Sequence, residues 1–459
     1  MAHDAQGNLL TAASEAGASA YDSALLSLLR FHADLLPKLA ALREADPSCT
    51  MAHVLAAAVP MLAYTARLLP AARAGLAAAR LGGANARERL HIEAIAAWTE
   101  GDIDAAIAAW EAILAAWPRD LLALFLAHNS NFWLGRPQDM RASAERVRAH
   151  WSPAVPGFGA MLACRCFAHE ECGDFLAAEP DGRLAVADDP ANFWATHAVA
   201  HILEMQARRA EGIAWLAGLA RHWAGGNNLR HHLWWHRALF HLEGGEVETV
   251  LAFYDQEFRN LASPLTMAMP DLHIDMQNAA SMLARLEMRG VDAGGRWEEL
   301  ADQAEKKIGD TASPFTLPHA MMALVASGRG RQADALLAAT EAAAAGADPS
   351  PTRRPILAGA ALPAMRGVRA WREGRPAAAV EAMRPALGML ATMGGSHAQQ
   401  DVLEQIFVTC ARQAGLADDV ALALERFAGR RRMPPAAFSL WRDADDRGGS
   451  GAAGTFYMS

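Results

Sequence analysis

A turn that recurs along the chain constrains the fold more than any other feature of the sequence. In "AAWTEGDIDAAIAAWEAILAAWPRD" one helix-forming run ends at Gly101, and a second run ends at Pro118. Relative to Gly101, Ala106 lies at +5 and Trp110 at +9. A small residue adopts turn backbone at low cost, a small residue at a contact lets helices approach closely, and proline ends a helix. The pattern therefore predicts two packed helices with Ala106 and Trp110 buried.

The same turn recurs through most of the chain. "CGDFLAAEPDGRLAVADDP" repeats the spacing with Gly173, Ala178 and Pro190, and weaker copies bring the turn intervals to between 34 and 46 residues. The predicted turns are at Gly101, Gly135, Gly173, Ala207, Gly245, Gly290, Gly328, Gly374 and Gly415. Because one helix pair cannot bury its apolar face alone, such units stack on each other. The sequence predicts an all-α, tetratricopeptide-like α-solenoid of about nine helical hairpins.

The limits of the repeat predict the organisation of the chain. We expect residues 1–82 to form an N-terminal helical cap and residues 83–430 to form the solenoid. Residues 431–459 are expected to be a flexible C-terminal tail, because the last part of the chain is rich in Gly and Ser. Abundant Ala and sparse β-branched residues favour helix over strand. Hydrophobic residues make up 52% of the chain, enough to bury a large core.

Charge and composition narrow the classes of function. The formal net charge is -9 and no basic run stands out, which argues against a nucleic-acid partner. The N-terminal "MAHDAQGNLL" has no basic or apolar signal region, and the apolar run containing Pro60 and Arg67 is too short to cross a bilayer. Five cysteines give no disulfide framework. We therefore expect a soluble, cytoplasmic protein without a membrane partner.

Histidines on the helices before the turns are the candidate functional residues. "ATHAVAHILEMQ" sets His197 and His201 four residues apart, and "HHLWWHRALFHLE" repeats this spacing with His232 and His236. Residues at i and i+4 share one face of a helix, and neighbouring helices lie roughly 8–10 Å apart. We therefore expect the side chains of consecutive helices to converge on one cavity on the concave side. The convergent set is His197, His201, His236 and Asp275.

This expected cluster is compatible with two kinds of site. Neutral imidazoles bind divalent metals such as zinc, with His197, His201 and His236 as the expected ligands, although the sequence alone fixes no cofactor. Without a metal, a histidine beside a carboxylate is a general base, and an enzyme would use His197, His236 and Asp275 as catalytic residues. The wider set of expected ligand-binding residues is His128, Glu171, His197, His201, His232, His236, Asp275, His319 and His397.

Structural roles are the alternative for these residues. A helical histidine whose hydrogen bonds are satisfied is often a core residue. Glu170, Glu204 and Glu287 each precede a turn by three residues, and this recurrence favours a structural role in the repeat. The residues between His197 and His201 are Ala, Val and Ala, so the HExxH motif of zinc proteases is absent. The sequence also has no Gly-rich phosphate loop, GxSxG elbow or Rossmann fingerprint.

Several segments resemble a known family. "MAHVLAAAVPML" after "DPSCT", "MRASAERVRAHWSP", "HEECGDF", "HAVAHILEMQ", "LRHHLWWHRALFHLEGGE" with "YDQE", and "GGSHAQQDVLEQ" are similar to the tetratricopeptide repeat protein 38 family, from about Tyr21 to about Gly429. The resemblance implies a tetratricopeptide-like solenoid in a bacterial member of that family, and it implies no settled activity. The residues that match the family pattern are His197, His201, His236, Asp275, His319 and His397, which implies a shared pocket.

Two functions from different classes follow. The first is a binding module that holds a peptide segment or a small polar ligand in a concave pocket rich in His and Asp. The second is a hydrolase that uses the His and Asp cluster, with or without a divalent metal, since catalytic sites occur on many folds. We favour the first because stacked hairpins create an extended concave surface. A groove open at both ends is expected for peptide binding, and a closed pocket or a bound metal is expected for the enzyme.

Overall fold

The computed structural model describes residues 2–446, and these residues are almost entirely helical. The expected all-α class is therefore confirmed. A pair of antiparallel two-residue strands, β1 (Ala2–His3) and β2 (Leu9–Leu10), precedes the first helix. The N-terminal region then contains α1 (Glu15–Leu29), α2 (Leu35–Ala45), α3 (Thr50–Met61) and α4 (Leu69–Arg80).

The rest of the described chain is a succession of short helices. They are α5 (Ala86–Thr99), α6 (Ile103–Ala116), α7 (Leu121–Trp133), α8 (Pro137–Arg148), α9 (Phe158–Glu171), α10 (Phe175–Asp188), α11 (Phe193–Met205), α12 (Arg209–Leu219), α13 (Leu229–Glu243), α14 (Val247–Phe253), α15 (Pro264–Ala268), α16 (His273–Glu287), α17 (Arg296–Lys306), α18 (Thr316–Ala326), α19 (Gly330–Ala342), α20 (Arg353–Ile356), α21 (Leu362–Arg372), α22 (Pro376–Met383), α23 (His397–Gln413), α24 (Ala417–Arg431) and α25 (Ser439–Asp446). Shorter 3₁₀ segments are Ala66–Leu68, Ala220–His222, Arg384–Met393 and Pro435–Ala437, and π-helical turns are Tyr254–Phe258, Ala343–Ala347 and Leu357–Ala361. Within residues 2–446, no helix combines the length and the apolar character needed to span a bilayer.

Each turn position expected from the sequence lies between two helices. The glycines at these positions have φ between 65° and 81°, and Ala207 has φ 56°. Glycine adopts this left-handed backbone without steric cost, whereas the Cβ of Ala207 makes the same conformation strained. At Gly101 the close approach of another segment adds a second constraint, because a Cβ there would lie 2.7 Å from the Cβ of Ser350. The repeated small residue is thus explained by backbone conformation.

The first helix pair packs as the sequence predicts. Ala106 and Trp110 of α6 are both 0% exposed. Trp110 meets Trp98 of α5 edge to face, with ring centroids 5.4 Å apart. The side chain of Asp102 accepts a hydrogen bond from Ala105 N and so fixes the start of α6. The absence of a large side chain at Ala106 lets these two helices approach closely.

The helices that precede the turns pack on each other in chain order. Helix α9 contacts α11, α11 contacts α13, α13 contacts α16, and α16 contacts α18. Helix α23 is different, because it contacts α11 and α16 in addition to its chain neighbours α22 and α24. As a result the inner helices are enclosed: every residue of α11 except Glu204 is buried.

The C-terminal region differs from the flexible tail expected to begin at residue 431. After α24 the chain forms a 3₁₀ turn and α25, and Phe438 and Trp441 are only 5% and 1% exposed. Trp441 stacks on Phe427 of α24 with ring centroids 4.3 Å apart. Burial of these aromatic rings offsets the conformational entropy that residues 435–446 lose when they become ordered. The rest of the expected tail, residues 447–459, lies outside the described residues.

Candidate metal centre

Four imidazoles meet in the interior where α11 packs on α13. His197 and His201 come from α11, and His232 and His236 come from α13. Each residue is at most 2% exposed. The i, i+4 spacing places both members of a pair on the same helix face, and the contact between the helices brings the two pairs together. We call these four residues the four-imidazole cluster.

One ring nitrogen of each histidine faces the centre of this cluster. His201 Nε2 lies 2.8 Å from His197 Nε2, and His236 Nε2 lies 3.1 Å from His232 Nε2. Between the two helices, ring centroids are 4.5 to 5.1 Å apart. One ligand nitrogen from each ring lies within 4.8 Å of the other three. Imidazole nitrogens in such a set are suited to zinc and other divalent transition metals.

On His232 and His236 the other ring nitrogen faces an oxygen acceptor. His232 Nδ1 lies 2.9 Å from Asn278 Oδ1 on α16, and His236 Nδ1 lies 3.1 Å from Glu204 Oε2 on α11. An acceptor at Nδ1 holds the ring proton there and leaves the lone pair on Nε2. With the protons of both rings on Nδ1, the two Nε2 lone pairs face each other across 3.1 Å. A cation between them would turn this repulsive contact into an attractive one.

His201 and His197 are held in other ways. His201 Nδ1 faces Glu170 Oε2 at 3.5 Å and Glu171 Oε1 at 3.8 Å. His197 stacks on Trp194 with ring centroids 4.8 Å apart, and its Nδ1 has no hydrogen-bond partner among the described residues. Packing therefore orients the His197 ring, while its Nε2 remains directed at the cluster.

Burial keeps these imidazoles neutral. Loss of solvation lowers the pKa of His201 and of His232 to about 3. Burial, assisted by the neighbouring imidazoles, also lowers the pKa of His197 and of His236 well below the ordinary value. The neutral ring is the form that coordinates a metal ion. The cluster is therefore ready to bind a metal at neutral pH without first losing protons from charged rings.

A second group of polar side chains adjoins the four-imidazole cluster. Glu170, Glu171 and His397 each offer a ligand atom within 4.8 Å of the others. Within the described part of the chain, no backbone N–H and no arginine, lysine or histidine donates to either carboxyl oxygen of Glu170. His397 begins α23, and its Nε2 lies 4.0 Å from Glu171 Oε2. We call these three residues the Glu170–Glu171–His397 group, and His201 is the member of the cluster that faces it.

Asp275 does not converge with the histidines as expected. Asn228 Nδ2 donates to Asp275 Oδ2 at 2.6 Å, and His231 Nδ1 lies 3.1 Å from the same oxygen. Asp275 is in the first turn of α16, at the level of His231 rather than of the cluster. Asn278 follows about one helical turn later and contacts His232 instead. The structure therefore does not bring Asp275 together with His197 and His236, as the expected metal-free catalytic site requires.

His128 and His319 also lie outside both groups. His128 packs edge-on against Trp194 with ring centroids 6.0 Å apart, so Trp194 separates it from His197. Neither ring nitrogen of His128 has a partner within residues 2–446, and burial lowers its pKa to about 3. His319 Nδ1 instead lies 2.8 Å from the carbonyl oxygen of Phe315 on its own helix. The structure thus assigns both residues to the packed core.

A cavity of about 140 Å³ adjoins the four-imidazole cluster. Glu204, whose carboxylate contacts His236, is part of its wall. Other polar residues in the wall are Arg285, Asp401, Gln405 and Arg431. Asp401 Oδ1, Gln405 Oε1 and Arg431 Nη1 have no hydrogen-bond partner among the residues described. Such a cavity is suited to a small polar ligand.

Three residues of this region were not expected from the sequence to belong to a site. The turn spacing favours structural roles for Glu170 and Glu204, and no sequence pattern points to Asn278. A signal for Glu204 exists, because it lies three residues after His201 on the same helix and so near the same face. Asn278 has no comparable signal, since its contact with His232 depends on how α16 packs against α13.

Comparison of the sequence with models of known protein families finds no match.

Proposed function

We propose that this protein binds a divalent transition metal ion, zinc first, in the four-imidazole cluster, and a small polar ligand in the adjoining cavity. One observation carries the proposal: the inward nitrogens of His232 and His236 are 3.1 Å apart while both outward nitrogens face oxygen acceptors. Two lone pairs in such a contact repel each other. A metal ion removes this repulsion by bonding to both.

The rest of the cluster supports a tetrahedral zinc site. Zinc–nitrogen bonds of about 2.0–2.1 Å separate the ligand nitrogens of a tetrahedron by roughly 3.4 Å. The Nε2–Nε2 separations of 2.8 and 3.1 Å need only a small outward movement of the rings. Glu204 and Asn278 supply the oxygen partners that commonly orient metal-bound histidines. Four protein ligands leave no open position, so we propose a structural metal that fixes α11 to α13.

We propose a tetratricopeptide-like solenoid of about nine hairpins as the scaffold, in a chain related to the tetratricopeptide repeat protein 38 family. The positive φ at every expected turn and the ordered packing of the helices before the turns support this interpretation. In such stacks the helices before the turns line the concave surface, where peptides bind. Here α23 contacts α11 and α16 on that side. Its position favours a small ligand over a peptide segment.

Glu204 connects the proposed ligand cavity to the proposed metal. It lines the cavity and holds His236 through its carboxylate. The cavity wall contains acceptor atoms of Asp401 and Gln405 and a donor of Arg431 that have no partner in the described structure. A ligand that carries both donor and acceptor groups would satisfy them, because buried polar atoms without partners are costly.

A hydrolase is the second candidate, and the environment of Glu204 favours it. Burial raises the pKa of Glu204 to about 7, close to the value of an efficient general base at neutral pH. In this hydrolase mechanism Glu204 removes a proton from water in the cavity, and His236 positions the Glu204 carboxylate. Asp275 has no part, because it is engaged with His231. Glu204→Gln should then abolish hydrolysis of a small ester probe such as p-nitrophenyl acetate without abolishing zinc binding.

Zinc titration of the metal-free protein tests the metal site. Isothermal titration calorimetry should detect zinc binding to the wild type. In His236→Gln the dissociation constant of the four-imidazole cluster should rise by about 100-fold or more, because a direct ligand is lost. His150→Gln is the matched control, since His150 is exposed and should bind as the wild type does. Failure of the folded wild type to bind zinc, or equal affinity of the cluster in His236→Gln, would refute the proposal.

A further inference from the structure

We infer that the Glu170–Glu171–His397 group, completed by His201 Nδ1, is a second divalent-cation site. The inference rests on the proposed function, because His201 serves both sites: its Nε2 faces the four-imidazole cluster and its Nδ1 faces the carboxyl pair. Two carboxylates with two imidazoles form a mixed oxygen and nitrogen set. Zinc and manganese are the cations that such a set suits best.

Among the residues of this group, Glu170 has the buried carboxyl group that the protein stabilises least. It is 0% exposed, and no backbone N–H and no arginine, lysine or histidine of the described residues donates to its carboxyl oxygens, whose hydrogen-bonding neighbour is the Glu171 carboxyl group. Glu171 is beside it and only 7% exposed. A buried carboxyl group without such donors is destabilising, and a bound cation removes that cost.

His201 provides an independent indication of a ligand. It is 0% exposed, and its Nδ1 has no hydrogen-bond partner within the part of the chain described. This nitrogen points at the pair, 3.5 Å from Glu170 Oε2 and 3.8 Å from Glu171 Oε1. These distances are too long for good hydrogen bonds but suit groups that share an ion. His397 Nε2, 4.0 Å from Glu171 Oε2, supplies the remaining ligand.

The cations of the protein near this group already have other partners. Arg430 and Arg431 of α24 act on the pair from a distance, through Coulomb attraction to Glu171 and Glu170 respectively. Arg430 forms an ion pair with Glu404, and Arg431 Nη2 lies 3.5 Å from Asp401 Oδ2. Their charge is largely offset by these carboxylates. The carboxyl pair therefore still lacks a close counter-charge of its own.

Glu170, Glu171, His397 and His201 Nδ1 would hold the cation in their deprotonated forms. Any proton that these groups carry beforehand would go to solvent, and no electron would be transferred.

Zinc stoichiometry of the full chain tests the inference. After equilibration with zinc and removal of the excess, mass spectrometry of the metal content should give two zinc ions per wild-type chain. Glu171→Gln should hold one. The matched control is Glu100→Gln, since the Glu100 side chain is 70% exposed, and it should hold two. His397→Asn should also hold one, and circular dichroism shows whether each variant is folded, so failure of either variant to fold leaves the other as the test.

Two further variants separate the sites. If His201 is shared, His201→Gln should weaken zinc binding at both sites by about 100-fold or more, whereas His236→Gln should do so at the four-imidazole cluster alone. A single zinc per wild-type chain, lost in His236→Gln, would overturn the second site and leave the proposed function intact. No zinc in the wild type would overturn both. Two zinc ions in both folded Glu171→Gln and folded His397→Asn would overturn the assignment of these ligands.

Discussion

Two buried clusters of this protein hold histidine and carboxylate groups in different electrostatic states. In the first, Arg87 Nη1 donates to Asp120 Oδ2 at 2.6 Å, and His91 Nε2 lies 3.0 Å from the same oxygen. Asp120 Oδ1 accepts a hydrogen bond from Ala123 N at the start of α7. Burial alone would raise the pKa of Asp120, but His91 and Arg87 hold it well below the ordinary value. The protein itself compensates this carboxylate.

The four-imidazole cluster and the two carboxyl groups Glu170 and Glu171 are also buried, but they are not compensated in this way. The two lone pairs of His232 and His236 face each other, and no backbone N–H and no arginine, lysine or histidine among the described residues donates to Glu170. Buried histidines and carboxylates are therefore not in themselves a sign of a ligand site. The difference lies in whether neighbouring protein groups already neutralise the charges and donate hydrogen bonds to the lone pairs, as Arg87 does for Asp120.

Breaking the compensated cluster should have the largest effect. Asp120→Asn keeps an oxygen that can cap α7, but it removes the 2.6 Å ion pair of the Arg87 side chain, 2% exposed, and leaves Arg87 with the more distant Asp4 Oδ2 at 3.6 Å. Loss of one partner of a buried ion pair costs about 3–5 kcal/mol. Urea unfolding should show this loss equally with and without zinc. A loss of about 1 kcal/mol or less, typical of a surface pair, would contradict the description of this cluster.

Zinc binding to the four-imidazole cluster should stabilise the protein by a somewhat smaller amount. At a free zinc concentration 100 times the dissociation constant, binding to the folded state alone adds about 2.7 kcal/mol to the free energy of unfolding. Urea unfolding with and without zinc measures this gain. His232→Gln should remove the part of this gain that comes from the four-imidazole cluster, whereas Asp120→Asn should keep it. An equal gain in the wild type and in His232→Gln would locate the bound zinc elsewhere.

Lowering the pH should destabilise the folded protein through buried histidines that have no counter-charge. Burial lowers the pKa of His128 to about 3, against about 6.5 for an exposed histidine. Between these values the unfolded chain binds a proton that the folded chain does not, so stability is complete above about pH 6.5 and falls as the pH drops toward 3. At about pH 5 this residue should account for a loss of about 2 kcal/mol.

The variant His128→Leu isolates this contribution. Urea unfolding of the metal-free wild type and of His128→Leu should be compared at about pH 7.5 and about pH 5. On acidification the wild type should lose about 2 kcal/mol more than the variant, because leucine cannot bind the proton in the unfolded chain. Parallel pH profiles for the two proteins would show that His128 is not held neutral by burial.

The smallest effect is expected from removing a residue that contacts a proposed metal ligand but does not itself bind the metal. Asn278→Leu deletes the acceptor at His232 Nδ1 and should weaken zinc binding about 10-fold, or about 1.4 kcal/mol. Competition with a fluorescent chelator measures this change. Asn278→Asp, which keeps an acceptor, should bind more tightly than the leucine variant. Equal affinity in the wild type and in Asn278→Leu would mean that Asn278 does not set the proton position of His232.

The parts of the structure that sequence reasoning predicts are those set by local conformation. Glycine is favoured where the backbone has positive φ, so the turn at Gly101 and most of its counterparts can be located from the spacing of glycines. The i, i+4 spacing similarly identifies which histidines share a face. The choice between Asp275 and Asn278 depends instead on the register between α13 and α16, which no local pattern encodes. The packing of Trp441 on Phe427 is a tertiary contact of the same kind.

The central position of α23 has a consequence for how the chain is made. Ribosomes release α11 and α16 long before α23, yet α23 contacts both, and Arg285 Nη2 donates to the carbonyl oxygen of Ala398 across a sequence separation of 113. Until α23 emerges, the nascent chain exposes the polar and apolar side chains that it will cover. Contacts of such long range slow folding and prolong the stage at which chaperones act and chains aggregate. Refolding should therefore be slower than in a helical repeat protein whose contacts join only neighbouring repeats.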